Sequence, residues 1–203
     1  MVGQNSLDAA GWQYAIDSGT DGVAGDDVGG NAYEIYSMAV RETTASIYVA
    51  INSNTPYNGN PDPYAQNETI ALGDLFIKLN TPSSNFQQAS DASSLYAVRF
   101  VENNESGVPE LGLYSDLNNS LNEIASGDFL AGIAFLSEID LTDAGFNWEQ
   151  APGQYTIAFK IDKSVFPGGE VESKSESVPE PNAIAGFTLL SATLIAQRLL
   201  KAY

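Results

Sequence analysis

Apolar residues alternate with polar ones over several short stretches of this chain. Ser46–Asn52 places Ile47, Val49 and Ile51 on one face at period two. Tyr155–Ile161 does the same with Tyr155, Ile157, Phe159 and Ile161. Tyr33–Val40 alternates in part, and the polar Arg41–Ala45 between it and Ser46 predicts a hairpin. Asp74–Leu79, Leu95–Val101 and Leu111–Tyr114 are further strands. Asp116–Ala125 predicts one short helix, capped by Asp116, with Leu117, Leu121 and Ile124 turned inward. Short strands with turn residues between them, and no long amphipathic helix, predict a mainly β chain whose residues 1–167 form an antiparallel β-sandwich.

Two segments break the pattern. Residues 53–68 are rich in Pro, Asn and Tyr and longer than most connections, as functional loops often are. Residues 168–177 turn to Gly, Ser, Glu and Lys, the composition of a flexible acidic linker.

The end of the chain has a different grammar. Pro179-Glu180-Pro181 precedes fourteen uncharged residues, Ala183–Ala196, and Arg198 and Lys201 follow. As a helix this span is about 21 Å long. Counted from Pro181 to Gln197 it reaches about 26 Å, the lower edge of what crosses a hydrocarbon core of roughly 30 Å. Arg198 and Lys201 can snorkel to the interface, and positive charge stays on the cytoplasmic side, so the N-terminal part is expected to face outward.

Together these residues resemble the PEP-CTERM sorting signal of Gram-negative bacteria. The resemblance covers residues 178–203 and implies a temporary membrane anchor. Pro179, Glu180 and Pro181 would be the recognition element for a membrane-embedded protease, exosortase, and Arg198 and Lys201 the membrane stop. It also implies a cell-surface or extracellular destination and an association with exopolysaccharide. The usual end of that signal is a tight Arg cluster; here there is one Arg and one Lys. Trp12–Ser18, Tyr33–Ile35, Ile47–Asn52 and Gly73–Ile77 look like the ectodomains of cyanobacterial exosortase-dependent surface proteins. The Ile47–Ile51 strand is also similar to the sandwiches of carbohydrate-binding and DOMON-like modules. Met1–Asp8 has no basic, apolar and small-residue order of a signal segment, so export predicts an in-frame signal upstream of Met1.

Composition narrows the chemistry. Eight Lys and Arg against 26 Asp and Glu leave a net charge of −18 in 203 residues, which argues against nucleic acid as a partner. With no Cys and no His, the chain has no disulfide, no Ser–His–Asp or Cys–His triad and none of the usual zinc ligands. Carboxylates, hydroxyls and amides remain.

Asp17, Asp21 and Asp26 lie in an Asp/Gly-rich stretch that reads either as an irregular calcium loop or as an ordinary turn. Gly19 and Val28 stand where an EF-hand needs Asp or Asn and Glu. Tyr57 and Tyr64, with Asn58 and Asp62, make a candidate glycan-binding loop, since aromatic faces suit the apolar face of a sugar ring. Trp12 and Trp148 are either sugar platforms or core residues. Asp62, Glu68, Asp74 and Asp128 could pair as a glycosidase only by their abundance. Asn67, Asn104 and Asn118 open glycosylation-type triplets that also read as Asn-rich loops. The chain is therefore expected to be a non-enzymatic structural or interaction protein at the cell surface. The alternative is a carbohydrate-binding module on the same platform and, behind it, a carboxylate glycosidase.

Overall fold

The computed structural model describes residues 6–20, 23–24, 27–28, 30–65, 67–78, 95–117 and 124–166. The linker and the sorting-type segment, with Pro179, Glu180, Pro181, Arg198 and Lys201, lie outside the described residues. So do Asp21 and Asp26.

The chain is mainly β. In order, its strands are β1 (Ser6–Leu7), β2 (Trp12–Ile16), β3 (Val23–Ala24), β4 (Asp27–Val28), β5 (Ile35–Glu42), β6 (Ser46–Ser53) and β7 (Asn60–Pro61). There follow β8 (Thr69–Ile70), β9 (Leu75–Lys78), β10 (Leu95–Arg99), β11 (Gly112–Ser115), β12 (Asp128–Ala131), β13 (Ala134–Phe135) and β14 (Tyr155–Asp162). One antiparallel sheet has the order β1-β2-β5-β6-β14-β13 and another β12-β11-β10-β9; β3-β4 and β7-β8 are small hairpins.

Alternation explains the larger sheet. Val40 lies opposite Val49, which lies opposite Phe159; Met38, Ile51 and Ile157 form the next row. These rows face a core shared with Leu75, Tyr96, Val98, Phe100 and Leu113 of the other sheet and its flanks. Phe100 stacks on Phe159 with centroids 5.5 Å apart. Phe166, just beyond β14, packs edge-on to Tyr96 at 4.9 Å and anchors the chain's exit from the sheet.

The opposite face of the larger sheet carries a row of three alanines beside a tyrosine: Tyr14 faces Ala39, which faces Ala50, which faces Ala158. Trp12, Leu141 and Phe146 fill the space left above them. Leu141 comes from α1 (Glu138–Asp143), closed at its start by a reciprocal Ser137–Asp140 capping box. The short helix is thus here among the described residues. The expected helix at 116–125 is not seen at its described ends: Asp116 adopts φ 49° in a bend, and residues 118–123 lie outside the described set. Leu117 and Ile124 are nevertheless buried, as their apolar character demands, in a third cluster with Leu95, Ala97 and Tyr114.

Gly59 shows how tightly the long loop returns on itself. Its φ is 74°, and a Cβ there would lie 2.5 Å from Thr69 Cγ2 and 2.7 Å from the Ile70 carbonyl. Gly59→Ala is expected to destabilise the protein by about 1–3 kcal/mol through backbone strain and forced displacement of β8, read as a fall in the urea midpoint.

Candidate functional site

The candidate site is the loop end built around residues 53–74, and it rests on a belt of buried polar side chains. After Ile51 the alternation of β6 gives way to Asn52, Ser53, Asn54 and Thr55, all buried. Ser53 bonds locally, its hydroxyl donating to the Thr55 carbonyl at 3.1 Å, and the other three clasp neighbouring segments. Asn52 donates to the Tyr155 carbonyl at 3.0 Å and to Thr156 Oγ1 at 2.9 Å, and accepts from the Gly153 amide at 2.6 Å. Asn54 donates to the Asn31 carbonyl at 2.9 Å and the Tyr36 hydroxyl at 3.1 Å, and accepts from the Gln154 amide. The Thr55 hydroxyl donates to Ala32, and the Gly30 amide donates to the fully buried Glu34 carboxylate. Among the described residues no buried side-chain nitrogen or oxygen lacks a partner. The sequence signal was the run of small polar residues where a strand should have continued its alternation.

From this belt the chain runs out into the β7–β8 hairpin. Asp62 receives the amide of Tyr64 at 2.8 Å on its carboxylate, and its own amide donates to Glu68. This Asx turn holds Tyr64 outward at 95% exposure. A second loop braces the first: Asn67 donates to the Asn103 carbonyl at 2.7 Å, and Asn103 donates to the Asn58 carbonyl at 3.1 Å.

The proposed glycan set therefore separates. Tyr64 is displayed. Tyr57 is half-buried against the main core, edge-on to Phe135 at 5.7 Å, and burial pushes its hydroxyl pKa up. Asn58 is exposed, and its backbone carbonyl ties the loop to Asn103. Asp62 shapes the turn. Trp12 is fully buried, with its indole N–H donating to the Ala144 carbonyl at 3.0 Å, which settles it as a core residue. Trp148 is 36% exposed beside Phe146.

Asp74 sits below these loops, at 5% exposure. It accepts from Asn104 Nδ2 at 2.7 Å and from the Ile124 amide at 2.8 Å. Burial raises its pKa, opposed by these hydrogen bonds, by Ser106 and by the Arg99 charge. Arg99 in turn donates to the carbonyls of Val108 and Glu102. Asn67 and Asn104, the first residues of two glycosylation-type triplets, are both engaged in this loop network.

Asp17 receives the Ser18 amide on its carboxylate, while its own amide donates to the Tyr36 carbonyl. Among the described residues no group of three or more His, Cys, Asp or Glu could hold a metal ion, and no helix is long and apolar enough to cross a membrane.

Comparison with family models, with curated proteins and with solved structures finds no match to this chain.

Proposed function

We propose that the chain is an exported cell-surface or extracellular-matrix protein of a Gram-negative-type bacterium, with a non-enzymatic structural or interaction role. Residues 1–167 form its β-sandwich ectodomain, 168–177 a flexible acidic linker, and 178–203 a sorting segment. The observation that carries this reading is the order of Pro179-Glu180-Pro181, the uncharged Ala183–Ala196 and the trailing Arg198 and Lys201. The sandwich assignment is supported by the core that the two sheets share. The non-enzymatic role is favoured by the use of the buried acids: Glu34 and Asp74 both hold backbone amides. Exosortase, the membrane and exopolysaccharide are the expected partners.

Proline lacks a backbone donor and disfavours helix at the residue before it, so Pro179 and Pro181 favour an extended, accessible peptide ahead of the span. Changing residues 179–181 to Ala is expected to leave full-length protein uncleaved in the inner membrane of a host carrying the matching exosortase. Processing and display equal to the unaltered chain on fractionated cells would sink the reading.

Tyr64 favours a second reading, a carbohydrate-binding module on the same platform. Its ring is almost wholly exposed and its backbone is fixed by the Asp62 turn. Tyr64→Ala is expected to change stability by less than about 0.5 kcal/mol, since the ring packs on little. The same change should remove binding on a glycan array; equal array signals from the two proteins would exclude this role for Tyr64.

A further inference from the structure

The outer face of the larger sheet is sealed by α1, but the helix also turns an apolar side chain outward. Leu141 points in and is 1% exposed, whereas Ile139 is 72% exposed. Ile139 and Thr142 are three residues apart and so are neighbours on the helix surface. Thr142 Oγ1 accepts from the Trp148 indole N–H at 3.1 Å, which places the half-open indole beside Thr142. Phe146 supports that ring edge-on at 4.9 Å, so the indole is held in place from two sides. A buttressed Trp and an exposed Ile that share Thr142 as a neighbour have the character of a binding anchor.

The rim of this patch is acidic. Glu138, Asp140, Asp143 and Glu149 are all exposed, and α1 has no basic residue in its last turn. Asp140 is occupied by the Ser137 amide and hydroxyl, and the Lys160 charge acts on it. Glu138, Asp143 and Glu149 make no side-chain ion pair within 4 Å among the described residues. A second copy of the chain would bring the same acids and a net charge of −18 to the contact. A polyanion would be repelled in the same way.

We propose that this face docks a cationic amphipathic peptide segment of a partner protein. An apolar side chain of the segment rests on Ile139 and Trp148, and its Lys or Arg residues lie among Glu138, Asp143 and Glu149. The acids speed the encounter and make it salt-dependent, and the indole adds cation–π attraction.

The chain has two tryptophans, and Trp12 is fully buried, so Trp148 reports on this face. The test titrates the full chain with a synthetic amphipathic Lys/Leu peptide and follows tryptophan emission and acrylamide quenching. The emission should shift to the blue, and quenching should fall as the peptide saturates. Ile139→Asp, and separately Glu138→Lys with Asp143→Lys, should each weaken Kd about ten-fold or more. Glu102→Lys with Glu105→Lys, on the loop that braces Tyr64, should leave Kd within about two-fold. Equal weakening by that loop pair would overturn the proposal in favour of attraction to net charge alone. Exposure of Trp148 to quencher by Arg198→Glu with Lys201→Glu, without added peptide, would overturn it in favour of the chain's own tail. A dimer on gel filtration that Ile139→Asp dissolves would overturn it in favour of a second copy.

Discussion

Trp12→Ala is expected to cost about 3–5 kcal/mol, a large share of the roughly 5–15 kcal/mol that holds a domain together. The indole is fully buried and lies 5.2 Å from Phe146 and 6.3 Å from Tyr48, both edge-on. It occupies the space that the alanine row Ala39, Ala50 and Ala158 leaves open, so nothing nearby can expand to replace it. Its N–H also holds the Ala144 carbonyl at the end of α1. The neighbouring Tyr14 hydroxyl accepts from the Asn147 amide and donates to Asp8, and its pKa is pushed up to about 12, chiefly by burial. Urea unfolding followed by far-UV circular dichroism measures the loss. Trp12→Phe keeps most of the packing and removes the hydrogen bond, so it should cost less than the alanine. A near-neutral Trp12→Ala would mean that this face of the sheet is not a sealed core.

Asp74→Ala should cost about 3–5 kcal/mol, because it leaves two donors without an acceptor and removes a carboxylate that interacts electrostatically with the buried Arg99. Those donors are the Ile124 amide and Asn104 Nδ2. The pH dependence has an unusual sign. Burial, the largest cause, raises the folded-state pKa of Asp74 above its ordinary value, so the folded state binds this proton more readily than the unfolded chain. The stability that protonation adds is fully present below the unfolded pKa and is lost as pH rises through the folded pKa. Asp74→Asn lacks that titration. The stability of the unaltered protein relative to Asp74→Asn should therefore grow as pH falls through the carboxylate range. Melting both proteins from pH 7 down to pH 4 checks the sign. A difference that shrinks toward low pH would mean that hydrogen bonds and Arg99 outweigh burial.

Sequence reading recovered the strands whose neighbours alternate. The hairpin of β5 and β6 spans Ile35–Glu42 and Ser46–Ser53, with the polar turn narrowed from the expected Arg41–Ala45 to residues 43–45, and β14 runs Tyr155–Asp162. Each has enough inward apolar residues to make period two visible. α1 escaped because its six residues carry only Ile139 and Leu141 as apolar positions, too few to show a helical period. Its visible signal was Ser137 followed three residues later by Asp140, a capping pattern without an apolar run behind it. β12 and β13 are edge strands of four and two residues, and their exposure leaves no burial pattern to read.

At the candidate site, the loop 53–68 was legible from its Pro, Asn and Tyr content, but Tyr57 and Tyr64 read alike, and local sequence did not say which ring packs and which is displayed. The roles of the Asn residues were not legible either. Asn52 and Asn54 bind loops about a hundred residues away in sequence, and Asn104 meets Asp74 thirty residues away. An amide both donates and accepts, so its local context does not say which distant backbone it will satisfy.

The sequence alone determined the class of the chain: antiparallel strands from period-two alternation, the exclusion of His and Cys chemistry, and a surface dominated by negative charge. These are local or summed properties, which need no knowledge of the fold. Tertiary structure alone decided that Trp12 is core and Tyr64 is display, that the buried Asn and Asp side chains brace loops, and that Trp148 is tied to Thr142 of the helix that leaves Ile139 exposed. Each depends on which distant backbone or ring lies within a few ångströms, and only the packing of the two sheets sets that.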